Sequence, residues 1–221
     1  QTFREYFTLS EGAVIDSKSY SNRITGLIAL TGNASVISQS GAGVLSLEGE
    51  VMVNDHTLTL GPSLAGMLVS EVSSGPGGSL VSAGEGLVLL SIDSDRFEGI
   101  IRVEAGDLNV GGAFPAASEV QIAGGTLELG ADHRINDLAG LTMSGGTLLT
   151  AGLSEELGKF TLQGTAIIDL GEGASVLRFL DSSDGAASWD GVLTIANWTG
   201  STTGGGTDQL FFGTTGAGLT S

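Results

Sequence analysis

The sequence contains no cysteine. A disulfide framework, a thiolate metal site and a cysteine nucleophile are therefore excluded. Proline occurs only 3 times, which rules out collagen, since that fold needs abundant proline and a strict glycine period. Basic residues are scarce: 8 Lys and Arg stand against 25 Asp and Glu, a formal net charge of −17. Phosphate binding requires clustered cations, so nucleic acid is not an expected partner. The same charge opposes docking on anionic lipid. No apolar run approaches the ~18 residues of a membrane helix. The longest, Leu87 to Ile92, is far shorter, and membrane insertion is not expected. Residues 21–96 contain no aromatic side chain.

Glycine is what the chain has in excess, with 37 of 221 residues, more than twice the usual ~7%. At 41% hydrophobic composition the chain buries enough apolar surface to fold. The glycines punctuate a degenerate repeat. GGTLELG at Gly124–Gly130 returns as GGTLLTAG at Gly145–Gly152, and AGDLNVGG at Ala105–Gly112 precedes both. GTAIIDLGEG, GVLSLEG, HTLTLG and GVLTIANWTG are weaker relatives. A period near ~20 residues is that of a solenoid. Within each unit the apolar residues alternate, as in Thr126-Leu127-Glu128-Leu129, which predicts short strands. Gly-Gly pairs at 77–78, 111–112, 124–125 and 145–146 supply corners, because glycine takes positive φ without steric cost. Asn33, Asn54, Asn109 and Asn136 are further turn candidates. Ser154-Glu155-Glu156-Leu157 reads as one helical turn and Phe114–Glu119 as a corner.

These features predict an all-β fold, a right-handed parallel β-helix of roughly ten coils, on the order of 50 Å long at ~4.8 Å per coil. Residues 1–20 are expected to form an N-terminal strand that caps the column or exchanges with a neighbour. Residues 21–221 form the single β-helix domain, with aromatic-rich coils over 189–221. A stack has two exposed ends that must be protected or paired. Phe3, Tyr6, Phe7 and Leu9 at one end, and Trp198, Phe211 and Phe212 at the other, are the candidate self-association residues. The opening Gln1 leads us to expect a processed chain from which a leader has been removed.

Ala83-Gly84-Glu85-Gly86-Leu87, Phe97-Glu98-Gly99, Ala105-Gly106-Asp107-Leu108 and Gly124-Gly125-Thr126-Leu127 follow one another in a fixed order. This succession resembles the autotransporter-associated β-strand repeat. The stretch Trp189–Leu219, with Trp189-Asp190-Gly191, Asn197-Trp198-Thr199-Gly200 and Gly204–Gly213, is similar to the C-terminal part of secreted bacterial proteins that carry such repeats. In many of those a PEP-CTERM sorting segment follows, and this sequence departs from them in ending at Ser221 without one. The resemblance implies a β-helix exported by a Gram-negative bacterium, secreted or on the cell surface. It also implies roles in display and adhesion rather than catalysis.

Candidate chemistry is sparse. His56 and His133 each follow an aspartate but share no motif, and no G-x-S-x-G elbow accompanies them. Asp93, Asp95 and Glu98 form the densest acidic group, a candidate for weak Ca²⁺ binding or glycoside chemistry, with Arg96 and Arg102 expected to neutralise it. Gly204–Phe212 lacks the spacing and recurrence of a Ca²⁺-binding nonapeptide and is read as a turn before a closing strand. Asn33-Ala34-Ser35 and Asn197-Trp198-Thr199 match the glycosylation sequon without further support. No catalytic residue, cofactor or metal ligand is assigned. The expected function is a non-enzymatic extracellular structural protein whose copies associate end to end into a fibre. The alternative is an adhesin or carbohydrate-binding passenger with a matrix polysaccharide as partner, and a third reading is a polysaccharide-active β-helix enzyme.

Overall fold

The computed structural model describes residues 1–18, 20–39, 43–63, 66–201 and 205–219. It is a parallel β-solenoid of about eight turns with almost no helix. An eight-stranded sheet runs from Ala13–Ser17 to Phe160–Leu162 and a ten-stranded sheet from Thr2–Phe3 to Leu193–Ala196. Every pairing between the named strands is parallel, and each joins one turn to the next. The expected ten coils match only the strand number of one face. Turn length departs from a strict ~20-residue period: in-register partners stand 19 residues apart at Leu108 and Leu127, but 27 apart at Ile168 and Ile195.

The third face is the irregular one. It begins as four strands, Phe7–Leu9, Ile28–Leu30, Val51–Asn54 and Val72–Ser74, and ends as three, Ser154–Leu157, Val176–Phe179 and Gln209–Phe212. Between them, strand pairing shrinks to the single bridges Ser74–Phe97 and Phe114–Ile135. Two fully buried phenylalanines fill this gap, with the Phe97 and Phe114 rings edge to face at 5.5 Å. The bulky rings supply the packing there that strand pairing supplies elsewhere.

The core follows from alternation and register together. On the ten-stranded face, Leu45, Met67, Val88, Leu108, Leu127, Leu148 and Ile168 stack as one column, each at 1% exposure or less. On the opposite face Leu58, Leu80, Ile101, Val120, Leu141 and Phe160 do the same. Full burial of each such side chain contributes about 1.5–3 kcal/mol. A one-residue slip would turn a whole column outward, so the columns fix the register.

Several local expectations are corrected. Ser154–Leu157 is a strand, not a helical turn. Asn109 lies within the strand Asp107–Val110. Among the described residues the one helix, Ser183–Ala186, is a single turn near the C-terminal end. Other expectations hold in part: Asn54 has φ +55, Asn136 hydrogen-bonds within its loop, and Gly125 and Gly146 have φ +63 and +67, whereas neither glycine of the pairs 77–78 and 111–112 has a positive φ.

Candidate functional site

The two ends of the column are built differently. Residues 2–17 form the first turn, contributing Thr2–Phe3, Phe7–Leu9 and Ala13–Ser17 as the outermost strand of three of the four sheets. All three present an unpaired edge. Phe7 donates its amide inward to Leu27. By the alternation of a parallel ladder, the Thr8 amide then points to the open side. Inside this turn is a hollow of about 550 Å³ lined by Phe3, Phe7, Ile15, Ile24 and Leu45, with Lys18 and Tyr20 at its rim. Of the candidate self-association residues here, Tyr6 is 61% exposed and Phe3 40%, whereas Phe7 is half-buried and Leu9 buried.

Aromatic side chains close the other end. Phe160, Phe179, Trp189 and Phe212 form one cluster with ring centroids 5.1–6.1 Å apart. Phe212 stacks on Phe179, while Phe211 turns outward beneath the Arg178 guanidinium at 4.1 Å. Trp198 is half-buried against the core. Asp208, 1% exposed, accepts from the Thr199 hydroxyl at 2.6 Å and from the amides of Thr199 and Ser175 at 2.7 and 3.0 Å. The Thr199 hydroxyl first, then the Ser175 amide, hold its carboxyl below the ordinary aspartate value. The expected closing strand is present as Gln209–Phe212; Gly204, at the head of that motif, lies outside the described residues.

Charge does not divide the ends. Residues 2–17 carry Arg4 against Glu5, Glu11 and Asp16, and residues 189–221 carry only Asp190 and Asp208, so most of the net −17 lies on the turns between.

The acidic group Asp93, Asp95 and Glu98 is not assembled into a ligand cage. Asp93 accepts from the Ala113 amide at 2.7 Å. Arg96 does not neutralise this group; it bridges Glu50 at 2.7 Å and Glu71 at 3.0 Å on two earlier turns. Arg102 pairs with Glu104. The Asp132 carboxylate accepts the Ser154 amide, and His56 and His133 stand on different turns.

A group that sequence reasoning missed lies on the third face. Among the described residues, His133, Asp137 and Glu155 are the only three or more potential metal ligands whose donor atoms all lie within 4.8 Å of one another. Glu155 is 1% exposed. Burial pushes its carboxyl up to about 7, although the amides of Arg134, Glu156 and Ile135 and the nearby His133 oppose the rise. The alternation within Ser154–Leu157 was the available signal, because it places Glu155 on the same side as buried Leu157.

Fold and surface thus define an acidic parallel β-solenoid with one open and one aromatic end. Over 130 residues the chain is 35% identical to the Adhesin BmaC autotransporter of Brucella suis biovar 1 (strain 1330). The match covers 54% of this chain and 4% of that protein, so the chain spans a small part of the relative's length. No family model matches, and no solved structure matches. The similarity and the solenoid fit an autotransporter-associated β-repeat.

Proposed function

We propose that the chain is a non-enzymatic structural rod, secreted by or displayed on a Gram-negative bacterium, whose copies stack end to end into a fibre. The observation that carries this reading is the open first turn, with its three strand edges around an apolar hollow. Edges of this kind recruit further strands. The ten-stranded sheet ends on Thr2–Phe3 at one side and on Leu193–Ala196 at the other, and the third face ends on Phe7–Leu9 and Gln209–Phe212. Head-to-tail stacking would continue both faces, and a contact that does not close yields a filament. The winding is right-handed in this proposal, as parallel crossovers within one sheet overwhelmingly are.

The test is negative-stain microscopy with light scattering. The intact chain should give oligomers of increasing length. Deletion of residues 1–10, or Thr8→Pro, which removes an outward amide but no internal bond, should shorten them. Monodisperse intact monomers at high concentration would remove the fibre.

Similarity to an adhesin favours a second reading, a carbohydrate-binding passenger segment. Saturable binding of the monomer on a glycan array would support it. Catalysis on polysaccharide is the third reading, and no turnover on a panel of neutral and uronic-acid glycans would close it.

A further inference from the structure

We propose that His133, Asp137 and Glu155 form a binding site for one first-row divalent transition cation, of the Zn²⁺ or Mn²⁺ kind, that clips two successive turns together. His133 and Asp137 belong to the loop around the bridge residue Ile135, and Glu155 belongs to the strand Ser154–Leu157 of the next turn. An imidazole nitrogen with two carboxylates is a donor set suited to these cations, and two carboxylates balance the double charge. The donor atoms lie within 4.8 Å of one another. A tetrahedral cation with bonds of ~2.0–2.2 Å draws its ligands somewhat closer. His133 and Asp137 are both exposed and have the torsional freedom to close in.

The second observation is the state of Glu155 itself. It is 1% exposed, yet among the described residues no Lys or Arg side chain pairs with it. Its donors are backbone amides. Oε2 receives Arg134 at 2.8 Å and Ile135 at 3.3 Å, while Oε1 receives only the adjacent Glu156 amide at 3.2 Å. Oε1 therefore keeps acceptor capacity. Buried carboxylates are ordinarily paired with a cation or coordinate a metal, and here the neighbouring groups able to share one are His133 and Asp137. A recess of about 430 Å³ lies against His133 and Asp137, lined also by Arg134, Asn136 and Pro115 but not by Glu155, and has room for water on the His133 and Asp137 side of the cation.

The experiment is calorimetric titration of the untagged, chelator-stripped full chain with Zn²⁺, Mn²⁺ and Ca²⁺, with thermal unfolding followed in parallel. One equivalent of Zn²⁺ or Mn²⁺ should bind and raise the midpoint. His133→Ala and Asp137→Asn alter exposed residues, so both variants should stay folded and lose affinity by about tenfold or more. His56→Ala should leave binding unchanged. Glu155→Gln should abolish the metal-dependent rise, and its circular dichroism establishes folding independently. Absence of saturable binding, binding of Ca²⁺ alone, or full retention of affinity in His133→Ala and Asp137→Asn would each overturn the site.

Discussion

Gly125→Ala isolates what the stacking of turns contributes. Gly106, Gly125 and Gly146 occupy equivalent corners with φ +64, +63 and +67. A Cβ on Gly125 would lie 2.3 Å from the Gly106 carbonyl oxygen and 2.7 Å from the Ala105 carbonyl carbon. That oxygen also accepts the Thr126 amide at 2.8 Å. Moving it therefore disturbs the ladder between two turns. Gly12 is the control: its φ is +74, but nothing lies within 4 Å of a Cβ placed there. Left-handed backbone costs an alanine about 1–2 kcal/mol, and about 0.4–1 kcal/mol is regained from the less flexible unfolded chain. Gly12→Ala should therefore cost about 1 kcal/mol. Gly125→Ala should add the weakened hydrogen bond and displaced turn, for a total of roughly 3 kcal/mol. For a chain of this size, the midpoint should fall by about 3 °C in the first case and about 10 °C in the second. Urea and thermal unfolding followed by circular dichroism measure both. Equal losses at the two positions would refute the stacking argument.

Glu155 gives a pH prediction for the metal-free chain. Its folded value of about 7 exceeds the ordinary 4.5, so the folded state holds the proton more tightly. Stability should decline by roughly 3 kcal/mol as pH rises from 4.5 to 7 and then level off. Glu155→Gln should flatten that slope, read by urea titration with chelator present. Phe97→Ala and Phe114→Ala should each cost about 3–5 kcal/mol, and a double-mutant cycle should show a coupling of about 1 kcal/mol from the edge-to-face pair. Asp208→Ala leaves the Ser175 and Thr199 amides without their acceptor. It should cost about 1–3 kcal/mol and raise hydrogen exchange at Gln209–Phe212 before the remainder of the column.

Much of this fold was legible in the chain because each turn repeats a local rule. Thr126-Leu127-Glu128-Leu129 alternates, and its leucines are buried. The Gly-Gly pairs at 124–125 and 145–146 do place a positive φ at a corner. The third face was less legible, because its pattern is not repeated. Phe97 and Phe114 replace strands with rings, which nothing in their own neighbourhoods announces. Ser154–Leu157 looked helical because two adjacent glutamates are good helix formers, but pairing with Val176–Phe179 overrides that preference. The cluster at Glu155 was only half legible: alternation marks Glu155 as inward-facing but not its partners. His133 and Asp137 meet it only through the length of one turn, which degenerate repeats do not fix. The first turn was expected as a separate segment able to cap or exchange; Thr2–Phe3 pairs with Asn22–Ile24 in the same parallel register as every later turn.

In-register parallel stacking underlies all of these arguments, and one distance tests it directly. Ser46 and Leu149 lie in the same column, linked through Leu68, Leu89, Asn109 and Glu128. Five intervals of ~4.8 Å put their backbones about 24 Å apart. The chain has no native cysteine, so spin labels at Ser46→Cys and Leu149→Cys report that pair alone. A narrow pulsed-EPR distribution near this separation, once label length is included, is the predicted result. A broad distribution, or one centred far from it, would contradict the solenoid.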